Sequence, residues 1–343
     1  MLHAGGLRRL RHGITPKYNK MSISQLLAPS LKRVEEILEH CLADSGTEAR
    51  VAAMCRQVIH AGGKRTRPML ALLCARAQDQ FDEERHEFMM TQYAASIELL
   101  HTATLVHDDV IDRAPLRRGE PTLNDTAGNH AAVLAGDYLF TRTFITATDV
   151  GRIEYIRILN ETIATLVAGE INQLRMEGSL SITVDDYYDI IYAKTGVLFE
   201  LAAKTFAYMM DPAGPQVQNF ISYGRSLGIA YQIIDDCLDF SADTEVLGKP
   251  VGGDLQDQRI TLPMILAIQR TQGREREELT QAIRAADFEA VSHFITSTGS
   301  LQRCRELAVQ ASDTARGSLA HLRDSPYRQA LLEVVDRCIN RSH

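Results

Sequence analysis

From Ser22 onward, apolar side chains return every three or four positions, in "ISQLLAPSLKRVEEILEHCL", "YAASIELLHTATLV" and "RIEYIRILNETIATLVAGEINQL" alike, and almost nowhere do they alternate in twos. That spacing lays them along one face of an α-helix. It predicts an all-α protein. The runs break at 60–68, 114–122, 176–184, 210–215, 247–255 and 324–327, where Gly, Pro and polar or charged residues cluster, which gives roughly a dozen helices on short connections. No repeat of 20–50 residues and no flexible linker divides the chain. One domain is expected over 22–343, preceded by a basic extension over 1–21.

At 343 residues with 45% hydrophobic and 24% charged side chains, there is ample material for a large core. The formal charge of −7 argues against a general nucleic-acid binder, so anionic ligands need local cationic clusters. No apolar run approaches the length of a membrane-spanning helix. The six cysteines form no CxxC pair and no zinc spacing, and read as reduced thiols of an intracellular protein. Arg8, Arg9, Arg11, Lys17, Lys20, Lys32 and Arg33 precede the first acidic residue, Glu35, as in a mitochondrial presequence. A frayed basic terminus in a cytoplasmic or other organellar protein is the alternative, and Met21 offers a second start.

Two long apolar runs close on the same pattern, "DDVID" at 108–112 and "DDCLD" at 235–239. On a helix Asp108 and Asp112 share a stripe one turn apart. Two carboxylates about 6 Å apart, at an effective dielectric of about 20, repel by roughly 3 kcal/mol. Negative charge is also disfavoured at a helix C-terminus. Such crowding suits a hard cation, since Mg²⁺ takes oxygen ligands, only one or two carboxylates among them, and keeps positions for water and phosphate. A third copy, "DDYYD" at 185–189, reads differently. Thr183 and Asp186 have the spacing of a capping box, and acidic residues are favoured in a first helical turn.

Each acidic motif is followed by cations: Arg117 and Arg118 after the first, Lys249 after the second. Upstream, "GGKRTRP" joins two glycines, which permit close backbone approach, to Lys64, Arg65 and Arg67 at the start of a helix near Pro68. His101 lies seven residues before Asp108 on nearly the same stripe. Together they suit charge-assisted bonds to a diphosphate beside bound metal.

"GGKRTRP", "LLHTATLVHDDVIDRAPLRRG", "GDYLF", "YAKTG", "YQIIDDCLDF" and "LGKPVGGDLQDQRITLP" match, in order, motifs of the trans-isoprenyl diphosphate synthases, and the chain resembles that family over about residues 60–265. The resemblance implies the isoprenoid synthase fold, a helical bundle around a central cavity, in a homodimer or a heteromer. It implies about three Mg²⁺ ions, with Asp108, Asp112, Asp235 and Asp239 as metal ligands and Asp109 and Asp236 in support. It assigns isopentenyl diphosphate to Lys64, Arg67, His101 and Arg118. The allylic diphosphate, farnesyl or geranylgeranyl, falls to Arg117, Lys194 and Lys249, with Thr195 and Gln232 flanking the developing cation. The departing diphosphate, not a side chain, is the implied base. Gln258 and Arg259 stand where relatives commonly have Gly-Lys before "TLP", which leaves a phosphate contact there open.

Product length should be set along the helix before Asp108. Ala103, five residues back, and Ser96, seven further, replace the aromatic plug of short-chain relatives, and the helix rises about 18 Å from Asp108 to Ser96. A channel this long, open unless Leu99, Leu100 or another helix supplies a floor, suits a long-chain product such as the ubiquinone side chain. Geranylgeranyl diphosphate is the alternative. A non-catalytic subunit of a heteromeric synthase should have eroded motifs, and a class I terpene cyclase would not need "GGKRTRP"; neither suits this sequence.

Overall fold

Residues 21–43, 48–241 and 251–341 are described in the computed structural model of the chain. The chain forms α1 (Ile23–Leu26), α2 (Ala28–Cys41), α3 (Ala49–His60), α4 (Thr66–Arg76) and α5 (Glu83–Ile111). A minimal hairpin, β1 (Leu116–Arg117) and β2 (Glu120–Pro121), leads to α6 (Leu123–Ala127), α7 (Asn129–Thr148), α8 (Ile153–Met176) and α9 (Val184–Ile191). Then come a π-helical turn (Tyr192–Gly196), α10 (Val197–Met210), α11 (Pro215–Leu238), α12 (Gly253–Gln256), α13 (Leu262–Arg270), α14 (Gly273–Arg284), α15 (Phe288–Ser297), α16 (Ser300–Ser318) and α17 (Pro326–Ile339). All-α is thus right for the body of the molecule.

The predicted breaks fall between these helices wherever they lie in described residues. Breaks that the hydrophobic period does not show occur at Gly128, Gly151 and Gly299, all at positive φ. Nor does the period show the hairpin. Arg118 and Gly119 both have positive φ, as a type I′ turn requires, and Arg117 pairs with Glu120.

From Tyr93 to Leu100 every side chain of α5 is buried. A helix apolar on all sides must run through the interior, and α5 packs against α2, α4, α7 and α10. The main core gathers around it. A second apolar cluster, with Ile233, Ile234, Cys237, Leu255, Leu262 and Val291, lies under the C-terminal end of α11. Each acidic motif therefore ends a helix rooted in packed core. Among the described residues no helix is long and apolar enough to cross a membrane.

The "YAKTG" segment is the π turn, and two glycines of neighbouring helices allow its extra width. A Cβ on Gly169 of α8 would lie 2.4 Å from Ala193 Cβ, and one on Gly228 of α11 would lie 2.7 Å from Gly196 Cα.

Candidate active site

Asp112 is the C-cap of α5 and Asp239 the C-cap of α11, and neither helix has a basic residue in its last turn. The repulsion inferred from the sequence is therefore not relieved locally. Tertiary structure supplies the cations. Arg117 donates from Nε to Asp109 Oδ1 at 2.7 Å, Arg259 lies 3.1 Å from Asp112, and Arg341 lies 3.4 Å from Asp235. Arg259 also feels the charge of Asp254, whose backbone N–H is held by Asp239, so it links the first motif to the segment that the second one anchors.

Among the described residues Asp108 makes no ion pair. Burial pushes its carboxyl up to about 6; Lys194 pulls it back, and Glu170 and Asp112 push it further up. Lys194 itself lies 3.0 Å from Glu170, a carboxylate on α8 that the sequence reading missed because "AGEINQL" looks like an ordinary solvated helix face.

The other second-motif carboxylates point elsewhere. Asp239 accepts the backbone N–H groups of Gly253 and Asp254 at 3.3 and 3.1 Å, anchoring the segment that follows. Asp236 accepts the Tyr187 hydroxyl at 2.6 Å and Gln232 Nε2 at 2.8 Å. Burial, then the nearby Asp254, pushes the Asp236 carboxyl well up, against the pull of those two hydrogen bonds. Asp112, Asp235 and Glu170 are held, among the described residues, only by ion pairs, to Arg259, Arg341 and Lys194, while Asp109, Asp236 and Asp254 line cavities beside them. Among the described residues no three His, Cys, Asp or Glu side chains converge into a ready-made cage. Carboxylates grouped at two helix ends, with half-buried Asp108 in no ion pair among the described residues, do fit Mg²⁺, which completes its octahedron with water and substrate phosphate.

The upstream cluster divides by role. Arg65, at φ +47°, is paired with Glu35 at 2.7 Å and Glu98 at 3.0 Å, which pins the loop. Lys64, Arg67, His101, Arg118, Tyr231 and Arg341 line a cavity of about 580 Å³. Arg67 stands over the Phe199 ring, its Nη1 3.0 Å from His101 Nε2, while its buried Nε has no partner. Burial, then Arg67, Arg118 and Arg117, hold the His101 imidazole well below its usual range. It is a neutral ring accepting an N–H from Arg67. Unpaired donors around an open volume make an anion site. Arg341 completes it from the end of α17, about 280 residues of sequence away from Lys64, and no local pattern announces it.

Lys194 and Thr195 are carried by the π turn, and Thr195 Oγ1 donates to Gln232 Oε1 at 2.7 Å. Lys249 lies outside the described residues. The third acidic copy caps α9 as expected: Thr183 and Asp186 form a reciprocal capping box. Below the first motif, Ala103, Leu100 and Ser96 are fully buried. Ser96 Oγ and the Tyr155 hydroxyl are 2.5 Å apart, and the Tyr155 ring packs on Tyr93 at 4.0 Å between centroids. This is the contact at which α8 closes on the stripe.

Residues 48–297 match the Polyprenyl synthetase family. The octaprenyl diphosphate synthase of Escherichia coli is 37% identical over 288 residues, covering 83% of this chain and 88% of that protein. The crystal structure of a decaprenyl diphosphate synthase from Rhodobacter capsulatus superposes with a TM-score of 0.85 at 35% identity, over 94% of this chain and 98% of the other. A polyprenyl synthase from Caulobacter crescentus, solved with calcium and isoprenyl diphosphate, gives 0.85 at 31% identity, over 94% and 97%. With two acidic helix ends, a cationic cavity, and likeness along nearly the whole chain, this protein is a prenyltransferase belonging to the polyprenyl synthetase family.

Proposed function

We propose that the chain elongates an allylic diphosphate, farnesyl or geranylgeranyl, with successive molecules of isopentenyl diphosphate, to give a long-chain all-trans polyprenyl diphosphate of the kind that forms a ubiquinone side chain. Isopentenyl diphosphate is held by Lys64, Arg67, Arg118 and Arg341, with neutral His101 orienting Arg67. The allylic diphosphate takes Arg117 and Lys194, drawn from Asp109 and Glu170, together with Lys249. Mg²⁺, held by Asp108, Asp112 and Asp235 and numbering about three ions by family resemblance, supplies charge neutralisation of the leaving diphosphate. The Thr195 and Gln232 oxygens face the allylic carbon as positive charge develops there, and the isopentenyl double bond attacks it. No side chain is required as nucleophile. The proton lost on closing the new double bond goes to the departed diphosphate.

The long-chain reading is supported by the likeness to octaprenyl and decaprenyl diphosphate synthases, and by the run of Ala103, Leu100 and Ser96 along α5, free of aromatic side chains until the Tyr93–Tyr155 pair. Purified protein, Mg²⁺, labelled isopentenyl diphosphate and each allylic primer, with products sized by chromatography, test it. Products well beyond geranylgeranyl length are expected, with almost none in chelator or from Asp108→Ala. A distribution ending at geranylgeranyl diphosphate would replace the reading.

A homodimer through α7 and α8 is part of the proposal. Val133, Leu134 and Ile145 on α7 and Ile153, Val167, Ile171 and Leu174 on α8 are exposed apolar side chains on consecutive helices, more than a solvated face ordinarily carries. The acid-free stretch before Glu35 supports delivery to mitochondria, tested by fusing residues 1–34 to a reporter.

A further inference from the structure

Thr195, like Thr146 beside Cys41, departs from most buried helical threonines. Thr102, Thr143, Thr162 and Thr205 each donate their hydroxyl to the carbonyl four residues back, the usual outlet on a helix. Thr195 sits in the π turn, where the ladder is shifted by one residue, and donates instead across to Gln232 Oε1. Gln232 is fixed in turn: its Nε2 donates to Asp236 Oδ1, while Asp236 Oδ2 accepts the Tyr187 hydroxyl. Tyr187 is 3% exposed and belongs to α9, the helix capped by the third acidic motif.

We propose that Tyr187 is a positioning residue for the prenyl-transfer step, acting through Asp236 and Gln232 to commit the Thr195 hydrogen away from the reacting carbon. The chain of donors has one direction. Both Asp236 oxygens are met by donors, the Tyr187 hydroxyl on Oδ2 and Gln232 Nε2 on Oδ1; with Asp236 ionised, the amide end that meets it is NH₂, which leaves Oε1 for Thr195. A hydroxyl has one hydrogen, and Thr195 gives it to that oxygen. Its lone pairs are then left for the allylic carbon that the prenyltransferase reading puts beside it, where a carbocation needs negative potential and would be repelled by an O–H pointing at it. Without Tyr187, Asp236 and Gln232 are free to rotate, the amide can flip, and Thr195 is then able to present its hydrogen. The acidic residues of "DDYYD" thus cap α9, and its first tyrosine aims the second motif.

The proposal rests on the prenyltransferase reading above, and the test separates the two. Compare wild type with Tyr187→Phe, which keeps the buried ring, and Thr195→Val with Thr195→Ser, measuring kcat, KM, and the affinities of two allylic diphosphate mimics. One mimic is an uncharged thiolo analogue; the other carries an ammonium in place of the cationic carbon. Tyr187→Phe should lower kcat and ammonium affinity by about tenfold, with KM and thiolo affinity changed less than about twofold. Thr195→Ser should restore most of what Thr195→Val loses. Equal loss of both mimics, or unchanged kcat, overturns the proposal by making Tyr187 a packing residue or an idle one. A wild-type chain that neither turns over nor prefers the ammonium mimic overturns the function beneath it.

Discussion

The Arg259 guanidinium reaches back to Asp112, 3.1 Å away, while its other contact, Asp257, lies 2.7 Å off on its own segment. An arginine from the stretch after the second motif thus closes over the first one. The fork geometry matters here: a guanidinium can bridge two carboxylates and still present N–H groups to a phosphate, whereas an ammonium is a single point. Arg259→Lys should therefore raise KM for the allylic diphosphate several-fold, to about tenfold, with kcat changed less. Steady-state kinetics at saturating isopentenyl diphosphate measure this; unaltered KM would confine Arg259 to holding the loop.

Asp108 makes the metal-free protein sensitive to pH. Its carboxyl is raised in the folded chain from 3.8 to about 6 by burial. Between those values the folded chain holds a proton that the unfolded chain has lost, so the stabilising contribution is present at low pH and is lost as pH rises through about 6. Melting curves in chelator from pH 5 to 8 should show wild type losing ground to Asp108→Asn as pH rises, the variant melting a few degrees higher at neutral pH. The same variant should be nearly inactive. Parallel curves would show that Asp108 meets a neutralising partner without metal.

Product length should respond to both ends of the buried stripe. Ala103→Phe puts a ring five residues below Asp108 and should shorten the products by several isoprene units. Tyr155→Ala removes the ring that packs on Tyr93 and breaks the bond to Ser96, so the floor opens and longer products should appear. A buried aromatic truncation costs about 3–5 kcal/mol, so Tyr155→Leu is the companion that keeps most of the volume. Lengths unmoved by all three variants would place the tail elsewhere.

The exposed stripe on α7 and α8 predicts oligomeric state. Leu134 is 64% exposed, the most of the large apolar side chains on α7, and Leu134→Glu should convert a dimer to a monomer in sedimentation at micromolar concentration, with little change in the helical spectrum. A wild type that sediments as one copy would remove the proposed interface.

Reading the helices from the chain worked because α5 and α11 bury their long apolar runs in core, and a 3.6-residue period survives folding unchanged. Where a conformation depended on another helix, the reading was blind. The π turn at Tyr192–Gly196 exists beside Gly169 and Gly228, residues with no local mark of that role. The hairpin at 116–121 is too short for an alternating pattern. Arg65 looked like one more cation in "GGKRTRP" and is bound to Glu35 and Glu98.

The sequence by itself determined the helical class, the two acidic helix ends and the nearby cations, because each is a matter of residue type at a spacing that helix geometry converts directly into a face or a terminus. Only tertiary structure decided which carboxylates stay open to the cleft and which are taken by Tyr187, Gln232 or backbone N–H groups. It also brought Arg341 and Glu170 to the site and put Tyr155 beneath Ser96. Apart from Gln232 and Asp236, one helical turn apart, those pairings join residues from over ten to more than a hundred positions apart, and a partner's direction is fixed by packing that no local pattern encodes.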